Sequence, residues 1–173
     1  MKKLILLVIA SSFIFAENFL NLKITNETLM TEAQYQVVDA EPVYVRGGYL
    51  MNKDKDNFFY VGLKTEGQII GSDNPVSFSL FVDGVHTKDN SALPIGIAAS
   101  GYFQQFALPV FARAEFAYAP EILSFDDAKK FSEFKIESGV RFIVNGEVFV
   151  GYRHISFDKN YDSHVYGGIG FVF

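Results

Sequence analysis

The stretch that decides the fold stands at the end of the sequence: His164-Val165-Tyr166-Gly167-Gly168-Ile169-Gly170-Phe171-Val172-Phe173. Bulky apolar side chains recur at alternate positions, at Val165, Ile169, Phe171 and Phe173. The positions between them begin with His164 and Tyr166 and include two glycines. Because strand residues two apart share a face, this spacing gives one apolar face. The stretch therefore predicts a transmembrane β-strand of about ten residues with one face toward lipid.

The other end of the sequence predicts export. Lys2 and Lys3 precede an apolar segment, and Ala16 provides a small residue for cleavage before Glu17. This order is typical of a secretory signal peptide, so we expect residues 1–16 to be removed and residues 17–173 to form one barrel domain. No later stretch has the length of uninterrupted apolar sequence that a membrane helix needs, which argues against a helical membrane protein.

The composition excludes several other classes. The net charge is −5, and loss of Lys2 and Lys3 would make the chain more acidic, which argues against a nucleic-acid partner. The absence of cysteine excludes disulfides and thiolate metal sites. The 19 Phe, 9 Tyr and 14 Gly suit strands that meet lipid at two interfaces. A secreted β-sandwich or lipocalin-like barrel is the soluble alternative.

Apolar and polar residues alternate in ten segments along the chain, which predicts an all-β, antiparallel transmembrane β-barrel of about ten strands. The segments cover residues 20–25, 29–37, 43–51, 59–64, 76–83, 95–103, 108–116, 134–144, 148–153 and 164–173. The first two have the weakest alternation, so eight strands is the alternative. Asn145-Gly146 predicts a type I′ hairpin turn on the side of the termini. Residues 39–42, 71–75 and the stretch near Gln104-Gln105 are expected as turns on the same side. Residues 52–57, 88–92, 119–131 and 158–163 are expected as loops on the opposite side.

Charged side chains occupy the polar faces of these segments. The cations are Lys23, Arg46, Lys64, Arg113, Lys135, Arg141 and Arg153, and the anions are Glu32, Glu66, Asp83, Glu115 and Glu137. A Lys or Arg facing hydrocarbon at mid-membrane costs about 2–4 kcal/mol, so these side chains are expected to point inward. We expect Arg113, Arg141 and Arg153 to pair with Glu115 and Glu137. The interior would then be an ion-paired plug, with a narrow, weakly anion-preferring pore as the alternative.

Candidate catalytic residues are few. Tyr152-Arg153-His154-Ile155-Ser156 resembles part of the active-site signature of outer-membrane lipid A deacylases, in which His154 would activate Ser156. Phe157 stands where that signature has Asn. Two other groups, His86 with Asp83 and His154 with Asp162 and His164, are expected near the outer rim. No phosphate-binding loop or metal-ligand spacing occurs, so no cofactor and no metal is predicted.

Two further resemblances concern location. The apolar positions Ile169, Phe171 and Phe173 look like the terminal assembly signal of bacterial outer-membrane barrels, which implies recognition by the barrel-assembly machinery. Gly151-Tyr152-Arg153 together with residues 167–173 resembles the YfaZ family of small predicted outer-membrane proteins. The family resemblance implies a barrel in the outer membrane of a Gram-negative bacterium and brings no activity or catalytic residue.

The sequence thus predicts a small non-enzymatic outer-membrane β-barrel. Its role would be structural, surface-exposed or that of a narrow pore, and its partners would be outer-membrane lipids and the assembly machinery. The alternative function is a lipid A ester hydrolase that uses His154 and Ser156.

Overall fold

A computed structural model describes residues 18–38, 41–68, 76–103 and 108–173. The predicted signal peptide and its cleavage site lie outside these residues. So do the turn expected at 71–75 and the stretch around Gln104-Gln105, where another was expected. Within the described residues, no helix has the length and apolarity needed to cross a membrane.

The chain consists of β-strands and one short 3₁₀ turn at Glu121–Leu123. The strands are β1 (Phe19–Ile24), β2 (Thr28–Gln36), β3 (Val43–Asn52), β4 (Phe58–Gln68), β5 (Val76–His86), β6 (Asn90–Ala92), β7 (Ile95–Phe103), β8 (Val110–Ala119), β9 (Ser124–Asp126), β10 (Phe131–Ile143), β11 (Gly146–Phe157) and β12 (Lys159–Val172). Ten of them follow one another round a closed antiparallel barrel, and β6 and β9 pair with each other as a short ribbon beside β5. The predicted all-β barrel is confirmed, with ten strands and not eight.

The barrel closes between its first and last strands. β1 pairs with β12 along its whole length, from Phe19 opposite Val172 to Ile24 opposite Gly167. Main-chain bonds between Asn18 and Phe173 extend this seam by one residue pair. Closure pairs the backbone groups of both edge strands, which a barrel in lipid requires because no water is present to satisfy them.

The alternation of the sequence sets which side chains face outward. In β5, for example, Phe78, Leu80 and Val82 are exposed on the outer surface, whereas Ser79 and Asp83 are buried in the lumen. The same period of two holds in the other barrel strands, so their charged residues face the interior, except Lys159 at the exposed start of β12. Small residues make room there: a Cβ at Gly168 would meet the ring of Phe149 at 2.3 Å, so glycine in the last strand lets the ring from the neighbouring strand pack over it.

The two ends of the barrel differ. At one end, here the terminal end, lie Asn18 and Phe173. At the other, here the loop end, lie the turn between β1 and β2, the loop of residues 53–57 between β3 and β4, and the β6–β9 ribbon. Main-chain bonds such as Leu93 N to Leu123 O fasten the ribbon segment to the connection that follows β8.

Two turns differ from expectation. Residues 158–163 do not form a loop: β11 runs to Phe157, β12 starts at Lys159, and Asp158 turns the chain with φ 57°. Aspartate tolerates this left-handed conformation better than most residues. The hairpin before β11 turns at Val144-Asn145, because Ile143 pairs with Gly146. Neither turn residue has the positive φ that a type I′ turn requires.

Candidate functional site in the barrel lumen

Aromatic side chains fill the lumen near the loop end. The rings of Phe58 and Phe131 stack with 6.3 Å between centroids, and Phe157 lies 4.8 Å from Phe131. All three are buried, together with Met30 and other apolar residues of the same cluster. Tyr161 adds a fourth ring, and its hydroxyl donates to the main-chain carbonyl of Asp56 in the β3–β4 loop. The loop is thereby held across the lumen toward β12.

A layer of buried ion pairs lies next to this cluster on the side of the terminal end. Glu32 accepts hydrogen bonds from Lys23, from Lys135 Nζ at 2.8 Å and from the hydroxyl of Tyr60 at 3.1 Å. Lys23 also contacts Glu137, which accepts a 2.7 Å hydrogen bond from the hydroxyl of Tyr166. The layer therefore ties β1, β2, β4, β10 and β12 together across the interior.

The same layer continues on the opposite wall. Glu115 accepts from Arg46 Nη2 at 3.0 Å and from Lys135 Nζ at 3.1 Å. Arg46 also approaches Asp83, with 3.5 Å between Nε and Oδ1, and stacks against the ring of Phe81. Each buried carboxylate named here has a cation beside it, which offsets the large cost of removing charges from water.

A second charged layer lies closer to the terminal end. Arg113 and Arg141 both donate to Glu147, at 2.7 Å and 3.0 Å, and both donate to the hydroxyl of Tyr102. Arg113 comes no nearer than 4.0 Å to Glu137. The expected pairing is therefore present only as the long contact between Arg113 and Glu137, and neither arginine donates a hydrogen bond to Glu115 or Glu137. Glu147 is instead the carboxylate that both arginines share. The alternating pattern of β11, in which the next residue Val148 faces outward, would have predicted that Glu147 faces the lumen.

Lys64 and Arg153 complete the placement of the predicted interior cations. Lys64 pairs with Glu66 at 3.1 Å. Arg153 stands apart from the two layers and pairs with Asp162, with 2.6 Å between Nε and Oδ2. Sequence reasoning missed this partner because it placed Asp162 in a loop, whereas Asp162 is a buried residue of β12.

The candidate catalytic pair lies outside the barrel. His154 and Ser156 project from the outer face of β11, and the Ser156 hydroxyl donates to the main-chain carbonyl of Lys159 at 3.1 Å. Within the described residues His154 makes no hydrogen bond or ion pair. Asp162 points into the lumen and bonds Arg153 and His164, and Asp158 accepts from the main-chain nitrogen of Lys129. Neither acid orients His154 as a catalytic base.

The other rim histidines have different partners. His86 lies on the outer face of β5, so it does not meet the inward Asp83 and instead bonds Ser91, which donates to Asp126 at 2.6 Å. His164 lies between Asp162 and Glu27, at 2.8 Å and 3.0 Å. No cluster of three His, Cys, Asp or Glu side chains with metal-binding geometry occurs in the described parts of the chain.

The terminal apolar residues line the outer surface of the closing seam. Ile169 lies between Leu22 and Val148, and Phe171 between Leu20 and Gly146, on the strands beside β12. Phe173 extends the seam through its main-chain bonds to Asn18. Ile169, Phe171 and Phe173 are therefore part of the barrel wall, independently of any recognition by the barrel-assembly machinery.

Comparison with known proteins adds little. No protein-family model and no curated protein sequence matches the chain. A solved structure described as "Unveiling the Mechanism Behind the in-meso Crystallization of Membrane Proteins" is similar over 91% of this chain and 83% of its own, with a TM-score of 0.47 and 12% identity.

Proposed function

We propose that this protein is an outer-membrane β-barrel whose lumen is closed, and that it acts as a non-enzymatic structural or surface-presenting protein. Export would follow from the predicted signal peptide, with cleavage near Ala16. The observation that carries the proposal is the separation of side chains: large apolar residues cover the outer wall, and the strand charges are buried and paired inside. In a soluble barrel, an apolar outer surface around a charged interior would be unfavourable, because the apolar side chains would be exposed to water.

The closed lumen follows from two successive obstructions. The ring cluster around Phe58 and Phe131 fills the loop end, and the ion pairs of Glu32 with Lys23 and Lys135 cross the middle. Ten-stranded barrels have only a narrow interior, and wide aqueous channels need about 16 strands. Ions would have to displace both layers to pass.

Membrane insertion can be tested with one substitution at two exposed valines. Val150 is 64% exposed in the middle of β11, and Val144 is 86% exposed in the turn at the terminal end. In water an arginine would be solvated at either position, but in a bilayer Val150→Arg places a charge in hydrocarbon. We expect Val150→Arg to lower the free energy of unfolding from lipid vesicles by about 2–4 kcal/mol, and Val144→Arg by no more than about 1 kcal/mol. Equal effects would reject the membrane-spanning barrel.

Conductance separates the closed barrel from the narrow pore. Purified protein refolded in detergent and added to a planar bilayer should give no steady ion current, while a wide porin in the same chamber serves as the positive control. An ohmic channel of reproducible conductance in the unmutated protein would overturn the closed lumen and promote the pore.

A further inference from the structure

A recess occupies the lumen between the ion-paired layers and the terminal end. Its volume is about 150 Å³. Five cations and four carboxylates line it: Lys23, Lys64, Arg113, Lys135 and Arg141, with Glu32, Glu66, Glu115 and Glu137. Tyr102 and several serines contribute hydroxyl groups to the same wall. The space suits a group of a few heavy atoms.

Two cations of this recess, Arg113 and Arg141, are more accessible than the carboxylate that they share. Arg141 and Arg113 are 30% and 20% exposed, whereas their shared partner Glu147 is 1% exposed. Both oxygens of Glu147 are engaged, since Oε2 accepts from Arg113 and Oε1 accepts from Arg141 and Tyr102. Two guanidinium groups thus share one buried carboxylate beside the recess, and Arg113 has a further long contact, of 4.0 Å, with Glu137.

These guanidinium groups also keep unused donors. Each has five N–H bonds, and the hydrogen bonds described above use only Nη2 of each arginine. The Nε of Arg141 is buried and has no hydrogen-bond partner among the described residues. An unpaired buried donor is costly, and the remaining N–H groups of the two partly exposed guanidinium ends are available to a ligand that accepts hydrogen bonds.

The deeper carboxylates do not supply the missing acceptor. Glu32 and Glu115 each contact two cations. Glu137 is held by Lys23 and Tyr166, and at 4.0 Å from Arg113 it is too far to accept a hydrogen bond from it. Glu66 is committed to Lys64. Unused hydrogen-bond donors therefore remain at Arg113 and Arg141.

We propose that this recess is a binding site for a small oxyanion, a carboxylate or a phosphate, held by the guanidinium groups of Arg113 and Arg141 beside the Tyr102 hydroxyl. The planar fork of arginine matches the paired oxygens of either group. The site is a blind recess and not a passage, because the ion pairs of Glu32 close its inner end. If the barrel spans the outer membrane as proposed, the ligand enters from the side of the chain termini.

Calorimetric titration of the refolded protein in detergent tests the site, with inorganic phosphate and acetate as probes at constant ionic strength in chloride. We expect saturable binding of at least one probe. Arg141→Gln should weaken it about tenfold or more, the loss of a charge-assisted hydrogen bond. Lys53→Gln is the matched control, since it removes the same charge from an exposed residue at the loop end. Absence of saturable binding by both probes, or equal weakening in both variants, would overturn the proposal.

A second variant tests the same site in the opposite direction. Glu147→Gln removes the competing charge with little change of shape, so phosphate should raise the unfolding temperature of this variant more than that of the unmutated protein, by mass action. An equal or smaller rise in Glu147→Gln would contradict the site. If Glu147→Gln does not fold without phosphate, refolding in its presence is the corresponding supporting result. A conducting protein that still loses anion binding in Arg141→Gln would refute the closed lumen and retain the site.

Discussion

The guanidinium of Arg153 and the carboxylate of Asp162 form a buried ion pair between neighbouring strands β11 and β12, with 2.6 Å between Nε and Oδ2. Arg153 also donates to Thr28 Oγ1 at 3.3 Å and contacts the sulfur of Met30, which brings β2 into the same group. The second oxygen of Asp162 bonds His164. One arginine thus links three strands around the closing seam near the loop end.

Removing the acid from this pair should be costly. Asp162→Ala leaves the Arg153 cation buried without its carboxylate, so we expect the free energy of unfolding to fall by about 3–5 kcal/mol. Urea titration of the refolded protein in detergent, followed by far-ultraviolet circular dichroism, measures this change in the free energy of unfolding. Asp54→Ala, at an exposed position in the β3–β4 loop, is the control and should change the value by less than about 0.5 kcal/mol. A similar small loss in both variants would show that the pair is hydrated and contributes little.

Deleting Phe173 should impair closure of the barrel. The deletion removes the two main-chain bonds between this residue and Asn18, whereas Phe173→Leu keeps them. In refolding experiments, we expect the deletion to lower the fraction with heat-modifiable gel mobility and the leucine variant to behave as the unmutated protein.

The same two variants separate closure from recognition in cells. If the assembly machinery reads the terminal aromatic residue, Phe173→Leu should lower the amount of assembled barrel in the membrane although it refolds normally in vitro. Unchanged membrane levels and mobility in both variants would count against a role of Phe173 in assembly.

Phe131→Ala should destabilise the protein without opening it. The substitution empties part of the aromatic cluster and should cost about 3–5 kcal/mol. The ion-paired layer around Glu32 still crosses the lumen, so no steady current is expected in a planar bilayer. Phe125→Ala, at a half-exposed ring of β9, is the matched control for stability. Current through Phe131→Ala alone would mean that the aromatic cluster is the whole barrier.

Ser156→Ala should leave both folding and lipid A unchanged. The Ser156 hydroxyl bonds a main-chain carbonyl, and His154 has no acid beside it to orient its ring. Lipid A extracted from cells that express the unmutated protein or the variant should have the same mass spectrum. Release of a hydroxy fatty acid that depends on Ser156 would instead establish the hydrolase and make His154 and Ser156 its site.

The period of two in the sequence was enough to predict the strands and their faces. It located all ten barrel strands and placed Leu80 outside and Asp83 inside, because successive side chains of a strand point to opposite faces of the sheet. It failed at residues 158–163, where polar residues such as Asp162 indicated a loop. There the strand continues because its inward polar side chains have partners in the lumen, which local sequence does not show.

The partners across the lumen were decided only by the tertiary structure. Alternation tells whether a side chain faces inward, but the height and direction of each strand round the closed barrel determine what it meets. Lys135 thus bonds Glu32, 103 positions earlier in the chain, and Arg141 bonds Glu147 across its own hairpin. Which carboxylate neutralises which cation, and where two arginines share one acid, depends on barrel closure, since desolvated charges must find a partner among the groups that closure brings within reach.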